Sequence, residues 1–490
     1  MNGSVINSSN ERRTVFSRRK SIFTIGLVAL TLLLSACVTR VVKETVIVER
    51  VVTATPATSE VGKGVIATPA LPEAVKIGVC TVAWSAPSQE MMAQLIEMFN
   101  EEHKGRIEAE YIQGDWGEGD NYVAAGVAAG DGIADVVEWW TGGAKEWYGR
   151  DLVYDLRPCM TDEIWETMPD GQWAARMSEG AVFMSGTCGG PNAALYYNPA
   201  LLEAAGIPTP APEHPWTWEE FDQYSRMLTV DNQGNNLSAD AASFDHENVV
   251  QWGFLPRLDT EKLWEEASNF ALQASGEYMI RKGETGKWDV FFDDEAIPAL
   301  RAFYGVVAEG VAPQESIGLT GSSQDELFAQ GRAALVLRGF FNVMVLRSRY
   351  PEFEFGVMPI PQSDGAKSYW TTIGQGFVVP KCSVHPAEAA EFVFWFQQAR
   401  PQALWANALY IPPVNPKALA EPALVNNPDW DLIRYYYSVG EGIALDYCVN
   451  EPEFIATLYS PTMMEVVQGT KTLGRAIEEI EAAASDILNQ

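Results

Sequence analysis

The sequence predicts an α/β protein with parallel β-sheets. Two observations lead to this prediction: apolar strands alternate with amphipathic helices from residue 75 onward, and the composition is that of a globular protein. Of the 490 residues, 47% are hydrophobic, and they include 16 Trp, 17 Tyr and 21 Phe. This composition excludes an intrinsically disordered chain, and the length is enough for about two or three domains.

The N-terminus has the pattern of a bacterial lipoprotein signal. Basic residues within 12–20 precede an apolar run over 22–34, which at about 13 residues is too short to span a bilayer. The run ends in Leu34-Ser35-Ala36-Cys37, a string that resembles a lipobox, whose cysteine receives a diacylglycerol and becomes the first mature residue. We predict a signal peptide over 1–36, lipidation of Cys37, and an extracytoplasmic protein anchored to the cell membrane.

The segment after the lipobox predicts a spacer. Residues 37–73 are rich in Val, Thr, Ala and Pro and show no sustained helical or strand period. We interpret them as a flexible tether that lets the folded body stand off from the membrane. A short added strand in VVKETVIVERVV is the alternative interpretation.

The folded body begins with a β-α-β-α-β pattern. A strand is predicted over 75–82, a helix from Pro87-Ser88, a second strand from Ile107, a helix over 122–129 and a third strand over 133–137. In parallel sheets of this kind, ligands bind beyond the carboxyl ends of the strands. Those ends carry Trp84, Asp115, Trp116, Trp139 and Trp140.

The charge balance and the cysteines narrow the function further. The 34 Lys and Arg residues are outnumbered by 65 Asp and Glu, so the net charge is −31, which argues against nucleic acid and electrostatic membrane docking. If Cys37 is lipidated, the other cysteines allow at most two disulfides, and the pairing is open. We predict a disulfide between Cys159 and Cys188. The chain has no CxxC spacing, so we expect no zinc site.

Motifs typical of enzymes are absent from the sequence. The 4 histidines are far apart, and neither HExxH nor GxSxG nor a P-loop occurs. Two acidic pairs, Asp293-Asp294 and Asp115 with Glu118, resemble a glycosidase acid and base, but solvated acidic loops are the simpler interpretation. Residues 231–235 predict a hairpin turn rather than a calcium loop. We therefore predict a protein that is not an enzyme and has neither metal nor cofactor.

A long segment carries a family resemblance. Residues 195–208, LYYNPALLEAAGIP, followed by 216–221, WTWEEF, resemble the "LYYNKDLFEKAGLP…TWDEF" stretch of extracellular solute-binding proteins, family 1. This carbohydrate-binding group includes maltose-binding protein. Further matches keep the family's order: 327–334 (LFAQGRAA), 355–361 (FGVMPIP), 373–377 (IGQGF) and 387–392 (AEAAEF). The chain departs from the family at Gly339-Phe340-Phe341, where many members carry a "GxW" strand end.

The resemblance implies a periplasmic-binding-protein-like fold of type II. In that fold two lobes are joined by a hinge, and the chain crosses between them three times. We place the crossings near 189–192, 336–339 and 374–377. The N-terminal lobe then comprises 74–190 plus 337–374, and the C-terminal lobe 191–336 plus 375–490.

The resemblance also implies a function. We expect a monomeric substrate-binding subunit that delivers a sugar or oligosaccharide to the permease subunits of an ABC importer. Aromatic rings would stack on the sugar, and polar side chains would bind its hydroxyls. The alternatives are a non-sugar solute such as a polyamine or glycerol phosphate on the same fold, and a secreted glycosidase. The expected ligand-binding residues are Trp84, Asp115, Trp116, Trp139, Trp140, Trp264, Arg338, Phe341, Trp370, Gln375 and Tyr410.

Overall fold

The computed structural model describes residues 73–82, 85–114, 119–130, 134–238, 243–363, 367–372, 374–446 and 448–490. The predicted signal peptide, Cys37 and the tether up to residue 72 lie outside this range. The strands are β1 (Val75–Val82), β2 (Ile107–Gly114), β3 (Val136–Trp140), β4 (Met177–Ser178), β5 (Ala181–Val182), β6 (Ala193–Tyr197), β7 (Val230–Asp231), β8 (Val249–Phe254), β9 (Ile280–Lys282), β10 (Trp288–Val290), β11 (Ala333–Gly339), β12 (Gly356–Met358), β13 (Tyr369–Thr371), β14 (Gln375–Val378) and β15 (Glu441–Ile443).

Helices alternate with these strands. They are α1 (Ala86–Glu102), α2 (Gly119–Ala129), α3 (Thr141–Gly149), α4 (Asp162–Trp165), α5 (Asp170–Ala174), α6 (Pro199–Ala204), α7 (Trp218–Met227), α8 (Thr260–Ser275), α9 (Ile297–Tyr304), α10 (Gly321–Ala329), α11 (Asn342–Arg349), α12 (Pro386–Phe396), α13 (Ala399–Leu409), α14 (Asp431–Val439), α15 (Glu451–Phe454), α16 (Ser460–Val467) and α17 (Leu473–Leu488). Among the described residues, no helix combines the length and apolar character that crossing a bilayer requires.

The first sheet has the strand order β14-β3-β1-β2. Strand β1 is parallel to β2 and β3, whereas β14 is antiparallel to β3. The predicted β-α-β-α-β order is therefore confirmed. Strand β3 continues to Trp140, beyond the predicted end at Val137, because Glu138 is buried and its carboxylate accepts the Thr187 hydroxyl at 2.9 Å.

The second sheet has the order β12-β6-β11-β8-β7. Strand β11 is parallel to β8 and antiparallel to β6, and β12 is antiparallel to β6. Capping side chains fix the first residues of α6 and α7, the two helices that follow β6. Asn198 caps α6, and Thr217 with Glu220 forms a capping box at the start of α7.

Both sheets are covered on their two faces. Successive residues of a strand point to opposite faces, so Val79 and Cys80 of β1 belong to different apolar clusters. In the same way Leu335 of β11 lies in one cluster of the second sheet and Val336 in the other. Sheets buried on both faces by helices define the α/β class, so the predicted class is confirmed.

The path of the chain between the sheets differs from the prediction at one crossing. Strand β6 of the second sheet begins at Ala193, and β14 of the first sheet begins just after Gly374, so crossings occur at 189–192 and before 375 as predicted. The crossing predicted at 336–339 is wrong, because β11 and the following strand β12 both pair with β6. Another passage begins instead after α13, whose Trp405 packs with the first sheet, and precedes α14, whose Tyr436 packs with the second.

These pairings also correct the predicted lobe contents. The segment 337–374 was assigned to the N-terminal lobe, yet it contains β12 of the second sheet. The segment 375–490 was assigned to the C-terminal lobe, yet β14 belongs to the first sheet and α12 packs on it. The order of motifs along a sequence does not reveal which distant strands pair, because those hydrogen bonds form only in the folded chain. The remaining boundaries stay predictions.

Candidate ligand-binding site

Two strand ends are held close together by a short piece of backbone. Cys188 forms an isolated bridge with Gln375, and the backbone oxygen of Asn192 accepts a hydrogen bond from Phe340 at the end of β11. A chain from Cys188 to Asn192 spans at most about 14 Å even when extended. The carboxyl ends of β3 and β11 therefore lie on the two sides of this segment, and we call the space between them the gap. We call Trp140, Thr141, Gly374 and Gln375 the first edge, and Asn192, Arg338, Gly339 and Phe341 the second edge.

The first edge presents an indole beside an amide. Trp140 and Gln375 are paired in the sheet register, and both side chains are half-buried. The Trp140 ring lies over Gly142 in the first turn of α3, where a Cβ atom would come within 2.0 Å of a ring carbon. The Thr141 hydroxyl donates to the Gly374 carbonyl at 2.8 Å, which fixes the start of β14 against the end of β3.

A buried thiol orients the Gln375 amide. The Cys188 Sγ donates to Gln375 Oε1 at 2.6 Å. Burial raises the pKa of Cys188 to about 12, so the thiol stays protonated and remains a donor. With its oxygen engaged in this way, Gln375 has its amide N–H groups available for a ligand.

The second edge presents a ring and another amide. Phe341 is 37% exposed, and its ring folds back over Gly339, where a Cβ atom would lie 2.5 Å from the ring. The Arg338 guanidinium lies 5.8 Å from the centre of that ring. Asn192 is exposed, and its Oδ1 accepts a hydrogen bond from the Phe340 N–H at 3.1 Å.

A buried charge network supports the second edge. Arg338 Nε lies 3.5 Å from Asp325 Oδ1, and the same oxygen accepts a hydrogen bond from Asn342 at 2.9 Å. Arg338 also donates to Asn342 Oδ1 at 3.0 Å. Burial raises the pKa of Asp325, although Arg338 and Asn342 lower it. Arg338 is therefore held by Asp325 and Asn342 beside the Phe341 ring.

Two of the predicted rings lie in the apolar interior. Trp139 is 2% exposed and stacks on Trp147 with ring centres 5.3 Å apart. Trp264 is buried in the core of the second sheet, and its indole N–H donates to Tyr278 and to Glu451. The prediction that these rings face a ligand is therefore wrong in this conformation. The reason is strand alternation for Trp139 and the inward face of α8 for Trp264.

Two other predicted rings pack beneath the second edge. Trp370 is buried against Tyr436 and Tyr437. Tyr410 stacks on Trp430, and its hydroxyl donates to Asp429 at 2.9 Å. Neither ring forms the open wall of the gap, so the direct stacking role predicted for them is corrected to a supporting one.

Three predicted residues lie outside the described residues. They are Trp84, Asp115 and Trp116, which follow directly after β1 and β2. Trp84 follows β1, the neighbour of β3, whereas Asp115 and Trp116 follow β2, the neighbour of β1. Their role in binding stays a prediction. Of the predicted set, the structure brings together Trp140, Gln375, Arg338 and Phe341.

The predicted disulfide is wrong. Cys159 and Cys188 are both free thiols: Cys159 is exposed in a short 3-10 helix, whereas Cys188 is buried beside β14. The described cysteines at 80, 382 and 448 form no disulfide either. Sequence spacing alone gave no information on the distance between the two side chains.

Two of the acidic residues considered in the sequence have other partners. Asp293 is paired with Arg281 at 2.7 Å, which accounts for one of the acidic pairs. Asp231 accepts backbone hydrogen bonds from Gln233, Asn235 and Asp245, which is the predicted turn. Although burial raises its pKa, these bonds lower the pKa of Asp231 to about 2. Within the described ranges, no cluster of three or more His, Cys, Asp or Glu side chains is placed to hold a metal ion.

Two surface cavities lie away from the edges. One, of about 480 Å³, is lined by Trp216, Tyr224 and Tyr435, and the other, of about 290 Å³, lies between α7 and α9. Neither contains a residue of the predicted ligand-binding set. Neither cavity is therefore part of the gap between the two edges.

Sequence reasoning missed two features near the gap. Asn192 of the second edge follows Gly189-Gly190-Pro191, a string that identified a hinge but not its amide. Asp446 accepts ion pairs from Lys145 on α3 and from Lys282 on β9, the latter at 3.0 Å. Asp446 and its two lysines are far apart in sequence, so no local pattern could have predicted their ion pairs. Asn192 could have been predicted, because it is a hydrogen-bonding residue directly after a hinge motif.

Comparison with known proteins gives a family. Residues 83–403 match the model described as bacterial extracellular solute-binding protein. A curated protein of Streptomyces antibioticus, named uncharacterized lipoprotein in oleD 5'region, is 24% identical over 351 residues, which are 70% of this chain and 71% of that protein.

Solved sugar-binding proteins share the fold. The cyclic alpha-maltosyl-1,6-maltose binding protein of Arthrobacter globiformis has a TM-score of 0.68 at 16% identity, over 85% of this chain and 99% of that one. The sugar-binding protein MalE of Xanthomonas citri has a TM-score of 0.67 at 19% identity, over 84% and 97% of the two chains. At these identities the likeness establishes the fold alone, and the predicted type II periplasmic-binding-protein-like fold is confirmed.

Proposed function

This chain belongs to the bacterial extracellular solute-binding protein family, and we propose that it is the substrate-binding lipoprotein of an ABC importer for a sugar or oligosaccharide. The observation that carries the proposal is the closeness of the first and second edges, each of which has an aromatic ring and a side-chain amide. The family and the structures it resembles are binding proteins rather than enzymes.

Rings and amides suit a sugar for different reasons. The C–H faces of a pyranose are apolar and stack on aromatic rings, a role for Trp140 and Phe341. Its hydroxyls need both donors and acceptors. The amide N–H groups of Gln375 and Asn192 are donors, and the second lone pair of each amide oxygen is an acceptor. A desolvated hydroxyl left unpaired costs about 1–3 kcal/mol, so the arrangement of amides selects the ligand.

Binding to both edges couples ligand capture to closure. A ligand that contacts both edges at once binds the closed arrangement better than an open one, and this difference shifts the population toward closure. The permease subunits then recognise the closed protein and receive the unaltered sugar. In this proposal Trp84, Asp115 and Trp116 complete the site from the ends of β1 and β2.

The alternatives receive less support from the site. A polyamine needs carboxylates facing the ligand, and Glu138, the described candidate, is instead buried and bonded to Thr187. A glycosidase needs two carboxylates about 5–9 Å apart at the substrate. The two edges, as defined by their described residues, contain no carboxylate.

The membrane anchor is part of the proposal. The string ending in Cys37 predicts lipidation, and the curated relative carries the word lipoprotein in its name. We expect metabolic labelling with a palmitate analogue to modify the full chain and to fail with Cys37→Ser. A labelled Cys37→Ser protein would contradict the anchor and leave the sugar proposal unaffected.

Calorimetry with a panel of mono-, malto- and cyclic oligosaccharides tests the cargo. We expect one class to bind, and Phe341→Ala to weaken that binding about tenfold because a stacking ring is lost. Phe291→Ala is the matched control, since Phe291 also carries an arginine, Arg281, over its ring at 4.3 Å. Binding of a polyamine or a glycerol phosphate but of no sugar would replace the proposed cargo.

A further inference from the structure

A buried arginine lies where two crossings of the chain meet. Arg176 follows α5 and has no exposed surface. One crossing, 185–192, leads to β6, and the other, 372–375, leads to β14. Arg176 contacts no ligand-facing ring, and it was not among the residues singled out from the sequence.

Its guanidinium donates to the first of these crossings at two points. Arg176 Nε donates to the Ser185 carbonyl at 3.1 Å, and Nη2 donates to the Cys188 carbonyl at 3.1 Å. Cys188 is the residue that bridges to Gln375 of the first edge. Arg176 therefore fixes the backbone that immediately precedes the short span to Asn192.

The same guanidinium donates to the second crossing. Arg176 Nη1 donates to the Thr372 carbonyl at 3.2 Å, and Nη2 lies 3.5 Å from the Gln375 carbonyl. Nη1 also donates to Gln172 Oε1 at 2.8 Å, while Gln172 Nε2 donates to the Gly189 carbonyl at 2.6 Å. Gln172 therefore adds a second connection from α5 to the first crossing.

The two crossings touch through backbone at two glycines. A Cβ atom on Gly374 would lie 2.1 Å from the Cys188 carbonyl oxygen, and one on Gly189 would lie 2.8 Å from Arg176 Nη2. Gly189 also has a φ of +144°, which favours glycine. This close approach is what allows one guanidinium to reach both backbones.

The charge makes these contacts costly to break. None of the hydrogen bonds above ends on a carboxylate, so carbonyl and amide dipoles alone compensate the buried cation. Burial lowers the pKa of Arg176 to about 10, which still leaves it charged at neutral pH. Opening either crossing would leave a buried charged donor without its acceptor, which is more costly than losing a neutral hydrogen bond.

We propose that Arg176 is a positioning residue that clamps the two crossings into a single hinge, so that they move together when the gap opens or closes. Arg176 positions the ligand-binding amide indirectly, because it holds the backbone carbonyls of Cys188 and Gln375. Only the role of the clamp in ligand binding rests on the proposed function, because the hydrogen bonds of Arg176 are present without ligand.

Hydrogen exchange of the ligand-free full chain, followed by mass spectrometry, tests the clamp without any sugar. We expect Arg176→Gln to raise amide exchange about tenfold in both 185–192 and 374–378, because charged hydrogen bonds to both segments are lost together. Arg176→Lys keeps the charge and should restore part of the protection. Gln172→Ala, which keeps Arg176 itself, should raise exchange mainly in 185–192.

Two controls separate a clamp from general destabilisation. Phe254→Leu loosens the fully buried core of the second sheet, and Arg226→Gln removes an arginine that pairs with Asp222 at 3.0 Å and with Glu309. Both should leave exchange in the two crossings unchanged below the melting transition. In Arg176→Gln, a rise in exchange in one crossing alone would overturn the proposal whether or not a sugar binds. Equal exchange in wild type, Arg176→Lys and Gln172→Ala would overturn it as well. If Arg176→Gln does not fold, Arg176→Lys and Gln172→Ala test the proposal in its place.

Discussion

A largely buried arginine lies beside each of the two edges, but different groups stabilise the charge of each arginine. Arg176, beside the first edge, bonds to backbone carbonyls and to the Gln172 side chain. Arg338, beside the second edge, pairs with the Asp325 carboxylate and bonds to Asn342. Carbonyl oxygens do not titrate in the range where proteins are stable, whereas carboxylates do. The first edge should therefore respond to backbone displacement, and the second to pH and to loss of a carboxylate.

The largest expected effect comes from removing the carboxylate of the second edge. Asp325→Ala leaves Arg338 buried without its counter-ion, and we expect a loss of about 3 kcal/mol in the free energy of unfolding, measured with urea. Asp222→Ala is the control, since its partner Arg226 is partly exposed and the loss should stay below about 1 kcal/mol. Equal losses in the two variants would mean that the Asp325 pair is no more important than a surface pair.

The next effect concerns pH. Burial raises the pKa of Glu266 from 4.5 to about 8; Glu265 raises it further, while Lys262, the Arg257 backbone N–H and Arg338 lower it. Because the folded chain holds this proton more tightly than the unfolded chain, the free energy of unfolding should fall as pH rises from about 4.5 to about 8.

Glu266→Gln should remove that dependence. Urea unfolding at several pH values between 5 and 9 measures it, with the exposed Glu352→Gln as the control. Arg176 stays charged throughout this window, so it contributes no slope of its own. A wild-type slope that persists in Glu266→Gln would show that another group causes it.

A smaller effect is expected at the surface. Asp446 pairs with Lys145 on the helix after β3 and with Lys282 of β9, and the three side chains are partly exposed. Asp446→Asn should lower the free energy of unfolding by about 0.5–1 kcal/mol at low salt and by less at 1 M salt, because exposed ion pairs are screened. A loss that does not change with salt would indicate packing rather than charge.

The smallest effect concerns the reactivity of the Cys188 thiol beside the first edge. Cys188 is a buried thiol with a pKa of about 12, so iodoacetamide at pH 8 should leave it unmodified in the folded protein and should modify the exposed Cys159. A reducing agent should leave the melting temperature unchanged, since both thiols are free. Peptide mapping that finds Cys159 linked to Cys188 would contradict the structure.

Local patterns predicted much of the fold. The order of β1, α1, β2, α2 and β3 follows from apolar periodicity, because each period reports which face of one element is buried. The same reasoning ended β3 too early at Glu138, since a charged residue is normally exposed. Its carboxylate is buried because Thr187, distant in sequence, provides a hydrogen bond. Long-range partners of this kind leave no mark on a local pattern.

The candidate site was predicted less well. Position after a strand predicted Trp140, because strand ends of a parallel sheet meet at one edge, and the predicted crossing at 374–377 suggested Gln375. The two residues pair in the first sheet, and their binding role stays a prediction. Trp139, one residue before Trp140, faces the opposite side and stacks on Trp147. Composition identifies a ring, but strand alternation and neighbouring helices decide whether that ring is exposed.

By itself the sequence determined the α/β class, the order of the family motifs and the prediction of an exported lipoprotein. These properties depend on neighbouring residues and on their period along the chain. The tertiary structure decided that β12 pairs with β6, that Cys159 and Cys188 stay apart, and that Arg176 joins two crossings. Such contacts depend on backbone groups meeting across long stretches of chain, and their free energy appears only when the whole fold has formed.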